Sequence, residues 1–107
     1  MNNQEVYDKV KSHLLSQGRK SLDARGKCAY RGDNGAMCAV GVLIPDDMYN
    51  RGMEGAACST SELRGVLDML EIDPRLAQEL QYIHDRALPN IWPDELKALA
   101  RHFRLQP

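Results

Sequence analysis

The chain has 107 residues, of which 43% are hydrophobic and 27% are charged, and its net charge is -1. This length fits one domain spanning residues 1–107, and the composition excludes a disordered chain. No apolar run approaches the roughly 20 residues that cross a bilayer, and the polar N-terminal segment lacks the apolar block of a signal peptide, so we predict a cytoplasmic protein with no membrane partner.

The first predicted element is a helix at residues 3–17. Val6, Val10 and Leu14 recur every four residues, which places them on one face of a helix. Gly18 follows this run, and glycine is a typical helix stop because it adopts left-handed backbone angles without strain.

Residues 19–26 are predicted to form a polar linker, and residues 27–38 then change to alternating periodicity, which favours extended structure. The Asn34-Gly35 pair is a strong turn signal because both residue types tolerate a positive φ. We therefore predict strands at 27–31 and 36–38, joined as one short β-hairpin. A lone hairpin is only marginally stable in water, so it must lie against helices.

A short apolar helix is predicted at 38–44. It should end before Pro45, because proline disfavours helical geometry in the residue that precedes it. The absence of a side chain at Gly41 would let this helix pack closely against a neighbour. Residues 45–58 are predicted to form a loop, since their apolar side chains follow no regular period.

Three further helices complete the predicted fold. The first spans 59–72, where Ser59 and Glu62 have the spacing of a capping box. The second spans 74–87 and starts with an aspartate cap followed by proline, and the third spans 93–104. The sequence thus predicts a mainly α, single small domain of about four to five helices with one short β-hairpin.

Three cysteines, Cys28, Cys38 and Cys58, are the first candidates for chemistry. Their odd number favours reduced thiols over a disulfide framework. With His84 they could supply zinc ligands, but the gaps of 10, 20 and 26 residues contain no short paired spacing. Buried packing groups are therefore the favoured interpretation, and no cofactor is predicted.

A thiol enzyme that uses Cys28 or Cys38 with His84 is the main alternative from another functional class. Cys38 is the first residue of the predicted short helix at 38–44 and Cys28 has basic neighbours, and both settings favour a thiolate. Asp85 follows His84, but consecutive helical side chains point about 100° apart, so we do not expect Asp85 to orient His84. The sequence reveals no assembled catalytic constellation, which favours a non-enzymatic protein.

The charges are unevenly distributed along the chain. Residues 19–31 contain five basic side chains and one acid, whereas residues 46–73 contain seven acids and two arginines. The basic segment makes nucleic-acid binding a weaker alternative, since phosphates attract such clusters. The overall negative charge and the low aromatic content oppose it.

Protein binding is the function that the sequence favours. Several large apolar side chains lie in predicted loops, where they either form an interface or cover the core. For Trp92 the favoured interpretation is that it covers the core. The candidate interaction residues are the polar tip of the predicted hairpin and the acids of the following loop: Tyr30, Arg31, Asp33, Asn34, Asp46, Asp47 and Glu54.

Two long motifs carry a family resemblance. They are "CAYRGDNGAMCAVGVLIPDDMYNRGMEG" and "LQYIHDRALPNIWPDELKALARHF", preceded by the N-terminal "QEVYDKV" segment. In combination they resemble a family of small accessory proteins of tailed phages and bacterial prophages. The resemblance transfers no activity and no catalytic residue. It implies a phage protein that acts in the cytoplasm of a bacterial host by binding a host or defence macromolecule, most simply a protein.

Overall fold

The computed structural model describes all 107 residues, and α-helices dominate it. The mainly helical fold that the sequence predicts is therefore confirmed. None of the helices combines the length and the apolar character that crossing a bilayer requires. The five helices, connected by loops and short 3₁₀ turns, are α1 (Asn3–Gln17), α2 (Ala39–Leu43), α3 (Ser61–Met69), α4 (Pro74–Arg86) and α5 (Trp92–His102).

Local sequence signals explain where α1 and α4 begin and end. The Asn2 side chain accepts a hydrogen bond from the amide of Glu5, and the Glu5 carboxylate accepts one from the amide of Asn2, which completes a capping box. Gly18 ends α1 with a φ of 69°. Asp73 caps α4 by accepting a bond from the amide of Arg75, and Pro74 occupies the first helical turn.

The start of α3 differs from the prediction of a helix at 59–72. Ser59 and Glu62 do not form a capping box, because the N-cap residue is Thr60 and not Ser59, and the amide of Thr60 bonds to the carbonyl of Ala57 in a turn. This turn delays the helix, and the Glu62 carboxylate instead accepts a bond from the Asn50 side chain at 3.3 Å.

The helices enclose one hydrophobic core. α1 packs against α2, α4 and α5, and α4 also packs against α3. Trp92 is buried and its Nε1 donates to the carbonyl of Ala87, so this side chain caps the core as the sequence predicts. The fully buried side chains include Val6, Val10 and Leu14 of α1, Leu63 and Leu67 of α3, Leu76 and Leu80 of α4, and Leu96 of α5.

The predicted hairpin at 27–38 is not formed as a two-stranded ladder. The chain makes only isolated antiparallel bridges, which pair Leu22 with Cys28 and Arg31 with Met37. The turn between them is a 3₁₀ turn in which Asn34 has a φ of 58°. The segment is therefore a folded loop that reverses direction, rather than a small sheet.

Side chains replace the missing strand partners. The Glu54 carboxylate accepts hydrogen bonds from the backbone amides of Tyr30 and Arg31 at 2.8 and 3.0 Å, an arrangement called here the Glu54 clamp. After the turn of the loop, the Gln17 side chain accepts a hydrogen bond from the amide of Met37 at 2.9 Å and donates one to its carbonyl at 3.1 Å. The backbone groups on both sides of the turn thus find hydrogen-bond partners without a β-ladder.

Gly35 lies at the turn of this loop with a φ of 76° and with no neighbouring atom within 4 Å of an added Cβ. Gly35→Val should therefore destabilise the fold by about 1–2 kcal/mol through backbone strain alone, since a β-branched residue rarely adopts this angle. Gly35→Asn should retain most of the stability, because asparagine tolerates left-handed angles. Urea unfolding checks both variants, and a valine variant as stable as wild type would contradict this turn.

Candidate functional site

A groove lies between α4 and two loops, and its volume is about 360 Å³. It is called here the α4 groove. One wall is the 28–30 stretch together with Cys38, the other is the 55–59 stretch, and the floor is one face of α4. That face carries Gln78, Gln81, Tyr82 and Asp85, whose spacing of three, four and seven residues places them on the same side of a helix.

The three cysteines all line this groove, although they are far apart in sequence. None forms a disulfide, as the sequence predicts; Cys28 is exposed, whereas Cys38 and Cys58 are buried. The Cys38 sulfur accepts a hydrogen bond from the amide of Gly41 at 3.2 Å and so caps α2. Burial raises the pKa of Cys38 to about 12, which keeps this thiol protonated.

The other two thiols are also held in the protonated form. Burial, followed by the negative charge of Asp85, raises the pKa of Cys28 above its ordinary value. Burial likewise raises the pKa of Cys58. A nucleophilic cysteine requires a lowered pKa, so the arrangement gives the alternative of a thiol enzyme no support.

His84 is fully buried, and both of its ring nitrogens are occupied. The backbone amide of Ser21 donates to Nε2 at 2.9 Å, so Nε2 carries no proton and Nδ1 does. Nδ1 then donates to the Asp85 carboxylate at 2.8 Å. The ring also stacks on Trp92 with 5.7 Å between the ring centroids. His84 therefore joins α4 to the chain segment after α1.

The contact between His84 and Asp85 corrects the sequence-based expectation that Asp85 does not orient this histidine. The 100° rotation per helical residue separates the Cβ atoms of neighbours. It does not prevent two longer side chains from turning toward each other, and here the carboxylate reaches the adjacent ring nitrogen.

The ligand atoms of Cys28, His84 and Asp85 lie within 4.8 Å of one another, which raises the question of a metal. This set differs from the predicted ligands, since Asp85 takes the place of Cys38 and Cys58. A metal bound to Nδ1 would require the proton of His84 to move to Nε2, where it would face the amide hydrogen of Ser21. Two ligands would remain, which is fewer than a zinc site uses.

Asp85 is the only charged residue that lines the groove. Burial acts to raise the pKa of Asp85, but its hydrogen bond and electrostatic interaction with His84, followed by the hydrogen bonds from Cys28 and Gln81, outweigh burial, so this pKa lies below its ordinary value. The carboxylate is therefore charged at neutral pH. The ammonium of Lys20 donates to the backbone carbonyl of Asp85 at 3.0 Å rather than to its carboxylate.

Two of the predicted interaction residues are built into the wall of the groove. Tyr30 is buried and its hydroxyl donates to the carbonyl of Ala56, so its expected position at an exposed tip is wrong. Glu54 is half-buried and forms the Glu54 clamp, and it also accepts a bond from the Tyr49 hydroxyl at 2.6 Å. Both residues hold the loops that shape the groove.

The remaining predicted interaction residues lie outside the groove. Arg31 forms an ion pair with Asp46 at 2.7 Å and lies over the Tyr49 ring. Asp33, Asn34, Asp46 and Asp47 are exposed, as the prediction of a polar tip and an acidic loop requires. The structure thus divides the predicted set into a structural pair and an outer polar surface.

The basic segment 19–31 is largely engaged with the protein itself. Arg19 donates to the carbonyl of Asn34, Lys20 to that of Asp85, and Arg31 to that of Ile44. Asp23 accepts bonds from two backbone amides within the same segment. These contacts give Arg19, Lys20 and Arg31 a structural role.

Thiol labelling checks the electrostatics of the groove. Cys28 should react with iodoacetamide faster than the two buried cysteines at neutral pH, yet more slowly than free cysteine. Asp85→Asn should speed the labelling of Cys28 several-fold, because it removes the negative charge that disfavours the thiolate. Asp46→Asn removes an acid paired with Arg31 and should leave the rate unchanged. Mass spectrometry of the labelled protein measures these rates, and an equal rate in the Asp85 variant would contradict the placement of this carboxylate.

Comparison of the chain with protein-family models, with curated proteins and with solved structures gave no match. The family resemblance of the two motifs therefore stays a prediction. The sequence-based interpretation treated Asp85 only as a neighbour of His84 and missed Gln78, Gln81 and Tyr82, because it followed the apolar face of this helix. The polar face, with Gln78, Gln81, Tyr82 and Asp85 at helical spacing, was the signal that could have found them.

Proposed function

We propose that the protein is a phage accessory protein that binds a host protein, and that the α4 groove receives part of this partner. The α4 groove carries the proposal, since a concave, mostly apolar site with a few polar groups is typical of binding sites. The phage context and the bacterial cytoplasm rest on the motif resemblance at 28–55 and 80–103.

The rim of the groove supports a protein partner. Tyr82 lines the groove and keeps 60% of its surface exposed, and its ring lies beneath the guanidinium of Arg86 at 5.6 Å. Exposed tyrosines beside a concave apolar site are typical of the residues that dominate protein interfaces. On the opposite wall Gly55 and Ala57 are exposed and carry little or no side chain, which leaves the opening clear.

The nature of the groove residues favours binding over catalysis. All three thiols that line it have raised pKa values, and His84 uses both ring nitrogens in bonds that hold the fold. What remains for a partner is an apolar surface together with the polar side chains of Ser59, Gln78, Gln81, Tyr82 and Asp85.

An affinity capture from bacterial host lysate tests the proposal with a matched pair of variants. Ala57→Trp places a large side chain in the groove, and Met69→Trp places the same side chain on an exposed site of α3 outside it. We expect one host protein to be captured by wild type and by the Met69 variant, and to be lost with the Ala57 variant. Capture of no specific protein, or equal capture by both variants, would contradict the proposal.

A further inference from the structure

We infer that the α4 groove recognises a lysine side chain of the partner protein and that the Asp85 carboxylate accepts its ammonium group. The inference rests on the proposed function, because it names the chemistry of the partner at the same groove. It is carried by three observations: the charge of the groove, the hydrogen bonds of the carboxylate, and the apolar walls.

The charge of the groove is that of one carboxylate. Asp85 has 35% of its side chain exposed, and no lysine or arginine nitrogen lies within 4.0 Å of its oxygens. The neighbouring His84 is neutral because its Nε2 accepts a bond from the amide of Ser21. The Lys20 ammonium donates to the backbone carbonyl of Asp85 and forms no ion pair with its carboxylate. A partly desolvated carboxylate without a paired cation is unfavourable, so a groove of this kind favours a positively charged group.

The hydrogen bonds of Asp85 favour lysine over arginine. Its Oδ1 accepts from both His84 Nδ1 and Gln81 Nε2 at 2.8 Å, whereas Oδ2 receives no bond from a protein nitrogen or hydroxyl. An arginine binds a carboxylate best through two parallel bonds to both oxygens. A lysine ammonium is a compact charge that requires one oxygen, and the only other donor near the carboxylate is the weak one of the Cys28 thiol.

The walls suit the aliphatic part of a lysine side chain. Ala29, Ala56 and Ala57 face a groove whose volume of about 360 Å³ is near the lower end of ligand sites, which run from roughly 300 to 1,000 Å³. A long side chain commonly packs its methylene groups along apolar surface while its charged end finds a polar partner. The carboxylate is already held by the buried His84, so little ordering is required when the ammonium binds.

Three short peptides test this inference directly on the wild-type protein. They are acetylated and amidated Leu-X-Leu, where X is lysine, norleucine or arginine. Titration of the ¹⁵N-labelled protein, followed at the backbone amides of residues 55–58 and 81–85, gives each Kd. We expect the lysine peptide to bind at least about tenfold more tightly than the norleucine peptide, and more tightly than the arginine peptide.

Asp85→Asn is the matched variant. Its amide oxygen can still accept the bonds from His84 and Gln81, but the second position becomes a donor and the charge is lost. We expect this variant to bind the norleucine peptide as wild type does and to lose the preference for lysine. Thermal unfolding by circular dichroism verifies that it is folded. If it is not, the three peptides on wild type still decide the inference.

The outcomes separate this inference from the proposed function. Equal Kd values for the lysine and norleucine peptides, or tighter binding of the arginine peptide, would overturn the lysine assignment. In the affinity capture, a host protein lost with Ala57→Trp but retained with Asp85→Asn would overturn it too, while the groove would remain the binding site. Binding of none of the peptides at millimolar concentration would overturn the inference, and the lysate capture would then decide the proposed function separately.

Discussion

Gly41→Ala is expected to destabilise the protein by about 3 kcal/mol or more, because the added methyl group would meet backbone rather than a flexible side chain. A Cβ at this position would lie 2.0 Å from the carbonyl oxygen of Tyr30 and 2.9 Å from its carbonyl carbon. Relief requires α2 to move away from the loop that forms one wall of the groove. Urea unfolding, followed by the helical circular dichroism signal, measures the change in the free energy of unfolding.

Gly65→Ala is the control, since it makes the same chemical change in another helix. Gly65 lies inside α3, and an added Cβ would meet no atom within 4 Å. We expect a stabilisation of about 0.5–1 kcal/mol, because alanine loses less backbone freedom than glycine on forming a helix. A shift of the same sign for both variants would contradict the close approach of α2 to Tyr30.

His84→Ala is expected to cost about 3–5 kcal/mol, through the cavity beside Trp92 and the unpaired amide of Ser21. The same measurement of unfolding applies. A second effect is expected at Asp85, whose pKa should rise because it would lose one of the hydrogen bonds that lower it. Because the lowered pKa of Asp85 contributes stability above its ordinary pKa that is lost as the pH falls, the variant should also lose stability less steeply on acidification.

Two further histidine variants distinguish bonding from packing. His84→Gln provides an acceptor near the position of Nε2, so it should recover part of the loss if the Ser21 bond matters. His102→Ala removes an exposed ring near the end of α5 and should change stability little. If His84→Ala were as mild as His102→Ala, the bridge between α4 and the segment after α1 would not be a source of stability.

The helices were predictable because their signals are local. The repeat of Val6, Val10 and Leu14 and the stop at Gly18 lie within one stretch of chain, and α1 is found where they place it. The need for a small residue at Gly41 was also visible, since it stands in an apolar run between a turn and Pro45. Such signals require no knowledge of which distant segments meet.

The loop at 27–38 and the groove were not predictable in the same way. An alternating pattern with Asn34-Gly35 predicts a hairpin, but it contains no sign that Glu54 supplies the bonds of a neighbouring strand. His84 and Ser21 are separated by 63 positions, and only the packing of α4 brings them together. The site therefore depends on long-range side-chain contacts, which a local pattern does not encode.

The Glu54 clamp has a consequence for how the sequence can change over generations. Its carboxylate holds the loop through the backbone amides of Tyr30 and Arg31, and the Gln17 side chain holds it through the backbone of Met37. The backbone of the loop between these two contacts is therefore fixed independently of the polar side chains that the loop exposes. Asp33 can vary with little effect on the groove behind it, whereas Asn34 and Gly35 both hold left-handed angles and are restricted to residues that tolerate them. Such a loop can change its outer side chains while the groove stays unaltered.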